Sequence, residues 1–292
     1  MNHTLATRAL LAHLTRSQWN QYAFDKTATE EVTQSHNADS KAGRFNKKLL
    51  EGSPNLKAVQ RAFSEVYTHH MVHTLPWVDQ GPRLLPSKAY FEYVADHNDL
   101  VSKALAAVDK FIDQPAYFND IQNDSLRLGA LFDADLYPSP GRMRELFGVT
   151  LRFLPVPDER DFRVDLPDAA MDALRKTTQD AVAQSVTNAT KDLYARLYAP
   201  LKAMRDKLAI PIGAEGATFR DSLVGNVQEA IELLPNLNIM GDPNLELLLR
   251  EVERDLGECT PTALRCLSGV REDARAKADA IMEQMGAYMG AV

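Results

Sequence analysis

From Asp168 to Ala209 apolar residues recur at spacings of mostly three and four: Met171, Leu174, Val182, Val186, Ala189, Leu193, Leu197, Leu201, Met204 and Leu208. That rhythm puts them on one face of a single long amphipathic helix, with Lys176, Gln179, Gln184, Asn188, Lys191 and Asp192 on the remainder. A helix of this length must bury its stripe against other helices. Pro200 lacks the N–H that would bond back to Arg196, so a kink is expected there. A rhythm of two marks the clear β signal. Val149, Leu151 and Phe153 alternate with Thr150 and Arg152, and Phe162, Val164 and Leu166 alternate with Arg163 and Asp165. The connector Pro155 to Arg160 can return the chain, so 149–166 is an expected antiparallel hairpin.

Caps and breakers place the other elements. Thr27 with Glu30 forms a capping box for a short helix to Ser35. Ser53 caps a helix that Pro54 opens and that runs to about His73, burying Leu56, Val59, Phe63 and Val66. Residues 74–86 carry three prolines and a glycine, which predicts a loop, and Leu75, Trp77, Leu84 and Leu85 predict that it folds onto the core. Further helices are expected over about 87–113, 115–132, 140–147, 218–234, 242–256 and 260–288. The last has a thin stripe of Ala274, Ala278, Ile281, Met282 and Met285. Residues 5–19 fit a short helix or an irregular strand equally. The fold expected is mainly α: a helical bundle with long coiled-coil-like helices over 167–292, plus a small α+β N-terminal part over 1–166 that contains a β-hairpin.

The chain has 292 residues, 45% of them hydrophobic and 25% charged, as in ordinary globular proteins. Its formal net charge of -7 excludes a surface that is basic throughout. The charge is uneven, however: residues 1–100 hold 11 Lys and Arg against 10 Asp and Glu, and all seven histidines lie at or before His97. Cys259 and Cys266, seven apart on an expected helix, are spaced for neither a local disulfide nor a zinc site. Free thiols and the lack of a long apolar run suit a soluble, cytoplasmic protein with no membrane partner.

Several clusters carry candidate chemistry. Lys41, Arg44, Lys47, Lys48, Lys57 and Arg61 stand against the single acid Glu51. With Phe45 and Asn46 among them, the cations could hold phosphates while a base stacks on Phe45. The plainer reading is a solvated loop paired with acids elsewhere, and the acidic total favours it. Trp77 could be a stacking platform, with Arg83 near it in sequence, although an aromatic flanked by Leu75 and Pro76 more naturally plugs the core. His69 and His73 are four apart, the spacing of two zinc ligands on one helix face, with Asp79 a candidate third. No Glu follows His69, so structural histidines are favoured. Asp120, Asp124, Asp133 and Asp135 could hold Mg²⁺, but no phosphate loop accompanies them and a solvated acidic face is favoured. Asp221 suits the start of a helix. No nucleophile elbow, Walker loop or dinucleotide fingerprint appears, so no catalytic residue and no cofactor is nominated.

Arg44-Phe45-Asn46-Lys47, His73 to Trp77 with Gly81 and Arg83 to Pro86, Phe153 to Pro157 with Phe162 to Leu166, and Phe219 to Leu223 with Asn226 together resemble an uncharacterised bacterial and phage family known only as a domain of unknown function. The resemblance spans roughly residues 10–256. It implies a setting, phages and integrative elements, among genes for DNA recombination and MoxR-type AAA+ ATPases, and it implies no catalytic residues. The leading expectation is therefore a non-enzymatic assembly or adaptor protein that forms homo-oligomers through its long helices and works with a AAA+ ATPase or recombination machinery. The alternative is a single-stranded DNA-binding or annealing accessory using Lys41 to Lys48, Trp77 and Arg83. A metal-dependent enzyme using His69 and His73 comes third.

Overall fold

A computed structural model describes residues 5–77, 81–158 and 167–289. In chain order the elements are α1 (Leu5–Arg8), β1 (Ala9–Ser17), β2 (Tyr22–Asp25), α2 (Lys26–Ser35), β3 (Phe45–Lys48), α3 (Pro54–His73), β4 (Leu75–Pro76), β5 (Arg83–Pro86), α4 (Tyr90–Phe111), α5 (Gln114–Leu128), α6 (Pro140–Glu145), β6 (Gly148–Pro155), α7 (Asp168–Leu208), α8 (Ser222–Leu237), α9 (Pro243–Leu256), α10 (Pro261–Cys266) and α11 (Ser268–Met289). The fold is mainly α, with two small sheets contributed by residues up to Pro155. One sheet has the order β4-β5-β1-β6 and the other pairs β2 with β3. The chain forms two compact units drawn from interleaved stretches rather than from two successive halves. Unit 1 comprises Met1–His13, Met71–Tyr93 and Arg152–Val292, and unit 2 comprises Leu14–His70 and Val94–Leu151.

Unit 1 is built on α7, a helix of 41 residues that runs through Pro200. Ala189, Leu193, Leu197, Leu201, Met204 and Leu208 are buried, as the apolar rhythm predicts, and they pack against α8 and α11. α11 offers Ala274, Ala278, Ile281, Met282 and Met285 in return; its alanines let the two backbones approach closely. α9 presents Leu245, Leu248, Leu249, Val252 and Leu256 to the same core, and Asp242 caps it by accepting from the Asn244 N–H at 2.9 Å. The expected loop 74–86 holds β4 and β5. Leu75 pairs with Leu84, and Leu84 and Leu85 pair with Leu11 and Leu10 of β1. A partner strand far away in sequence thus makes short strands of segments whose prolines suggested none. The expected single helix 260–288 is interrupted at Leu267, whose backbone is extended. In consequence Cys259 lies between α9 and α10 and Cys266 ends α10, and both are free thiols. α8 starts at Ser222 rather than Thr218, and Asp221 makes no capping bond. Its carboxylate instead receives Arg265, which also donates to the Phe219 carbonyl at 2.8 Å.

Arg271 explains how the break at Leu267 is tolerated. It is buried, and its guanidinium donates to the carbonyls of Leu208 (3.1 Å), Leu264 (3.0 Å), Ile210 (2.8 Å) and Lys207. The Leu208 and Leu264 carbonyls lie in the last turns of α7 and α10, where a helix supplies no further N–H, and the Lys207 carbonyl also accepts the Ile210 N–H at 3.3 Å. Arg196 does the same for the end of α3, donating to Val72 (2.6 Å), Thr74 (2.8 Å) and Met71 (3.0 Å) while Asp192 neutralises it at 2.7 Å.

Unit 2 packs Leu49, Leu56, Val59, Phe63 and Val66 against Val108, Phe111, Tyr117, Met143 and Phe147. Phe147 lies in ring contact with both Phe63 and Phe111, at centroid separations of 5.7 and 6.3 Å. α3 starts where Ser53 and Pro54 place it, with Ser53 Oγ accepting from the Leu56 N–H at 3.1 Å. α2 is capped by Asp25 rather than Thr27, through a bond of 2.9 Å from the Ala28 N–H. Of the expected hairpin 149–166, the first strand is β6, and 159–166 lies outside the described residues. The two-stranded ribbon that unit 2 does contain is β2–β3, joined through α2.

Replacing Arg271 by Met is expected to lower the free energy of unfolding by ~3 kcal/mol, because several buried carbonyls lose a charged donor at once. Lys, a point charge that cannot span four acceptors, should recover only part of it. Urea unfolding followed by far-UV circular dichroism measures both; equal stability of R271M and the parent would contradict the capping role.

Candidate nucleic-acid interface

The basic segment is a strand with two unlike faces. Antiparallel register sets Tyr22 opposite Lys48, Ala23 opposite Lys47, Phe24 opposite Asn46 and Asp25 opposite Phe45. Side chains alternate across a ribbon, so Tyr22 and Phe24 share a face with Asn46 and Lys48, and Arg44 continues that face beyond the strand end. This face is open: Tyr22 is 53% and Phe24 44% exposed, and Arg44 and Asn46 are exposed as well. The Arg44 guanidinium lies 4.5 Å from the Phe24 ring centre and the Lys48 ammonium 5.9 Å from that of Tyr22. Two aromatic rings, two cations and an amide therefore form one surface.

The other face is structural. Lys47, expected as a phosphate ligand, is buried; it pairs with Asp25 at 3.1 Å and donates to the Leu131 carbonyl at 2.9 Å. The Asp25 carboxyl is held below its ordinary range, first by the Ala28 N–H and then by Lys47. Phe45, expected as the stacking ring, lies on this face and is 36% exposed, and its N–H donates to Thr29 Oγ1 at 2.9 Å. Lys41 is exposed and outside the strand. Glu51 bonds Lys48, which keeps the Lys48 ammonium charged further up the pH scale than an isolated lysine.

Beneath the ribbon lies Asp124, 2% exposed. Expected on a solvated acidic face or at a metal, it is instead a buried acceptor. It takes the Leu50 N–H at 2.7 Å, the Tyr137 hydroxyl, and Arg127 Nε at 2.8 Å. Leu50 has a φ of 51°, a left-handed conformation that a branched side chain seldom adopts. The bond from its N–H to Asp124 fixes that turn, and the turn fixes where β3 ends. Burial and the bond to Asp124 raise the Tyr137 phenol above its ordinary range. Asp120 accepts from Ser53 Oγ at 2.6 Å. Asp133 accepts from the Asp135 N–H at 3.1 Å and caps a short turn.

The remaining candidates belong to other elements. Trp77 belongs to the core of unit 1, where its carbonyl accepts from Ser185 Oγ at 3.0 Å, so it is a plug and not a platform. Arg83 donates to Thr74 Oγ1 at 2.7 Å and to the Thr74 carbonyl at 3.0 Å. His69 and His73 both lie on α3, four residues apart. Among the described residues no three His, Cys, Asp or Glu side chains are placed to hold a metal; Asp79 lies outside them. Tyr22 and Phe24 were missed from the sequence because 20–25 was not read as a strand, although Tyr22, Phe24 and the intervening Ala23 do alternate. No family model matches this chain, and neither a curated protein nor a solved structure matches it.

Changing Asp124 to Ala leaves the Leu50 N–H, the Tyr137 hydroxyl and Arg127 without their buried acceptor. The expected loss is ~3 kcal/mol of stability, read as a lower urea midpoint. An unchanged midpoint would mean that the Leu50 turn stands without it.

Proposed function

We propose that the chain is a non-enzymatic accessory protein that binds single-stranded DNA through the outward face of β2 and β3. The carrying observation is the shared, open surface of Tyr22, Phe24, Arg44, Asn46 and Lys48. Rings two residues apart on a strand are ~7 Å apart, about twice the spacing of stacked bases in a duplex strand. Only an unstacked, extended single strand sets successive bases at that separation. Aromatic faces take any base, while Arg44 and Lys48 take phosphates, so binding is tolerant of sequence and sensitive to salt. The resemblance to a phage and mobile-element family supports DNA as the nucleic acid and recombination as the setting.

The test is fluorescence anisotropy with a labelled oligothymidylate. The Y22A/F24A pair is expected to weaken binding about tenfold or more. The R44A/K48A pair should also flatten the dependence of log affinity on log salt by about 1.4. Lys103→Ala with Lys110→Ala, which removes two exposed charges elsewhere in unit 2, should change little. Equal losses in all three pairs, or no binding at low salt, would overturn the reading.

The oligomeric adaptor working with a AAA+ ATPase is a second reading, favoured by the first turns of α7. There Met171 and Leu174 remain partly exposed, whereas Val182 and Val186 pack against the unit 1 core and the stripe from Ala189 onward is consumed in it. Light scattering after size exclusion should show an oligomer that Met171→Glu with Leu174→Glu reduces to monomer; a parent that is already monomeric removes this reading and leaves the first untouched.

A further inference from the structure

Unit 1 holds a cleft of about 810 Å³ that neither the ribbon nor the long helix explains. Residues from the end of α3, the start of α4, α7 and α8 line it. Its size is that of a site for a small organic ligand or a few residues of peptide. The floor is apolar: Tyr93, Ala230 and Leu237 are buried, and Leu233 is half-buried. The rim is acidic. Glu229 and Glu232, three apart on α8, project from one helix face, and Glu92 of α4 lines the same cleft. All three are exposed, and none pairs with a cation among the described residues.

The nearby cations are held by other groups. Arg196 is neutralised by Asp192 and bonds the carbonyls at the end of α3, while Arg83, bonded to Thr74, and Lys88, donating to the Pro235 carbonyl at 2.8 Å, keep their charge without pairing with the rim. Three carboxylates unpaired among the described residues therefore stand over an apolar floor. The same carboxylates would repel a nucleic acid. The complement is a cationic head on an apolar stem, which is what Lys and Arg side chains beside an aliphatic anchor supply.

We propose that this cleft receives a short basic segment of a partner protein, with Lys or Arg side chains at Glu92, Glu229 and Glu232 and a neighbouring aliphatic side chain on Leu233 and Leu237. The site is independent of the ribbon, and its failure would leave the DNA reading standing.

The experiment uses the full chain and a fluorescein-labelled Leu/Arg peptide, with a matched Leu/Glu peptide as control. The Leu/Arg peptide should raise anisotropy at low salt and the Leu/Glu peptide should not. Glu229→Lys with Glu232→Lys should weaken binding about tenfold or more. Glu272→Lys with Glu283→Lys makes the same charge change at exposed positions of α11 and should leave binding within about twofold. Leu233→Gln, checked for native circular dichroism, should weaken binding without altering charge. An equal loss in both reversal pairs would reduce the effect to net charge. Indifference to Leu233→Gln, or displacement of the peptide by spermine as readily as by unlabelled peptide, would make the cleft an acidic patch. Each of these outcomes overturns the proposal, as does the absence of peptide binding.

Discussion

Helix ends that meet within unit 1, with carbonyls wholly or partly withdrawn from water, are the constraint on which that unit depends. α7 ends at Leu208 and α10 ends two residues before α11 begins, so several acceptors converge in one buried place. Arg271 answers all of them with one planar fork. A buried guanidinium is costly by itself, but here it is spread over four acceptors at once. The geometry also fixes register: α11 cannot slide along α7 by a turn without tearing Arg271 from the Lys207, Leu208 and Ile210 carbonyls. Ala274 and Ala278 then face the long helix at close range because that register is kept.

Where structure is decided locally, most of it was readable in the sequence, although Thr27 and Thr218 are not the caps expected. Ser53-Pro54, Asp242-Pro243 and Thr260-Pro261 announce helix starts because a cap bonds within its own turn. The stripe of α7 announces its buried face because a helix has one period. What was unreadable is non-local. β4 and β5 exist because β1 lies beside them. The break at Leu267 exists because Arg271 serves carbonyls more than sixty residues away. The candidate site divides the same way. Its cations were visible as a run of like residues, but which of them point outward depends on strand pairing. Lys47 and Arg44 look equivalent in the sequence, and only the pairing of β3 with β2 buries one and exposes the other.

Net charge proves a poor guide to chemistry in this chain. An overall balance of -7 coexists with a ribbon face that carries Arg44 and Lys48 over aromatic rings, and with a cleft at which Glu92, Glu229 and Glu232 stand exposed. Electrostatics at contact range is set by the nearest few groups, since salt screens the rest within about 8–10 Å. A protein can therefore offer opposite signs to two ligand classes and remain acidic in sum.

The interleaving of the two units has a consequence for biosynthesis. Unit 2 is complete in the nascent chain at Leu151, whereas the core of unit 1 awaits Met285. At ordinary translation rates that interval is roughly ten seconds. Throughout it Leu11, Leu75, Trp77 and Leu84, already made, lack the helices that will cover them. The order of emergence thus builds one unit early and leaves the apolar strands of the other waiting, so the ribosome-bound intermediate is the form of this protein most in need of a chaperone.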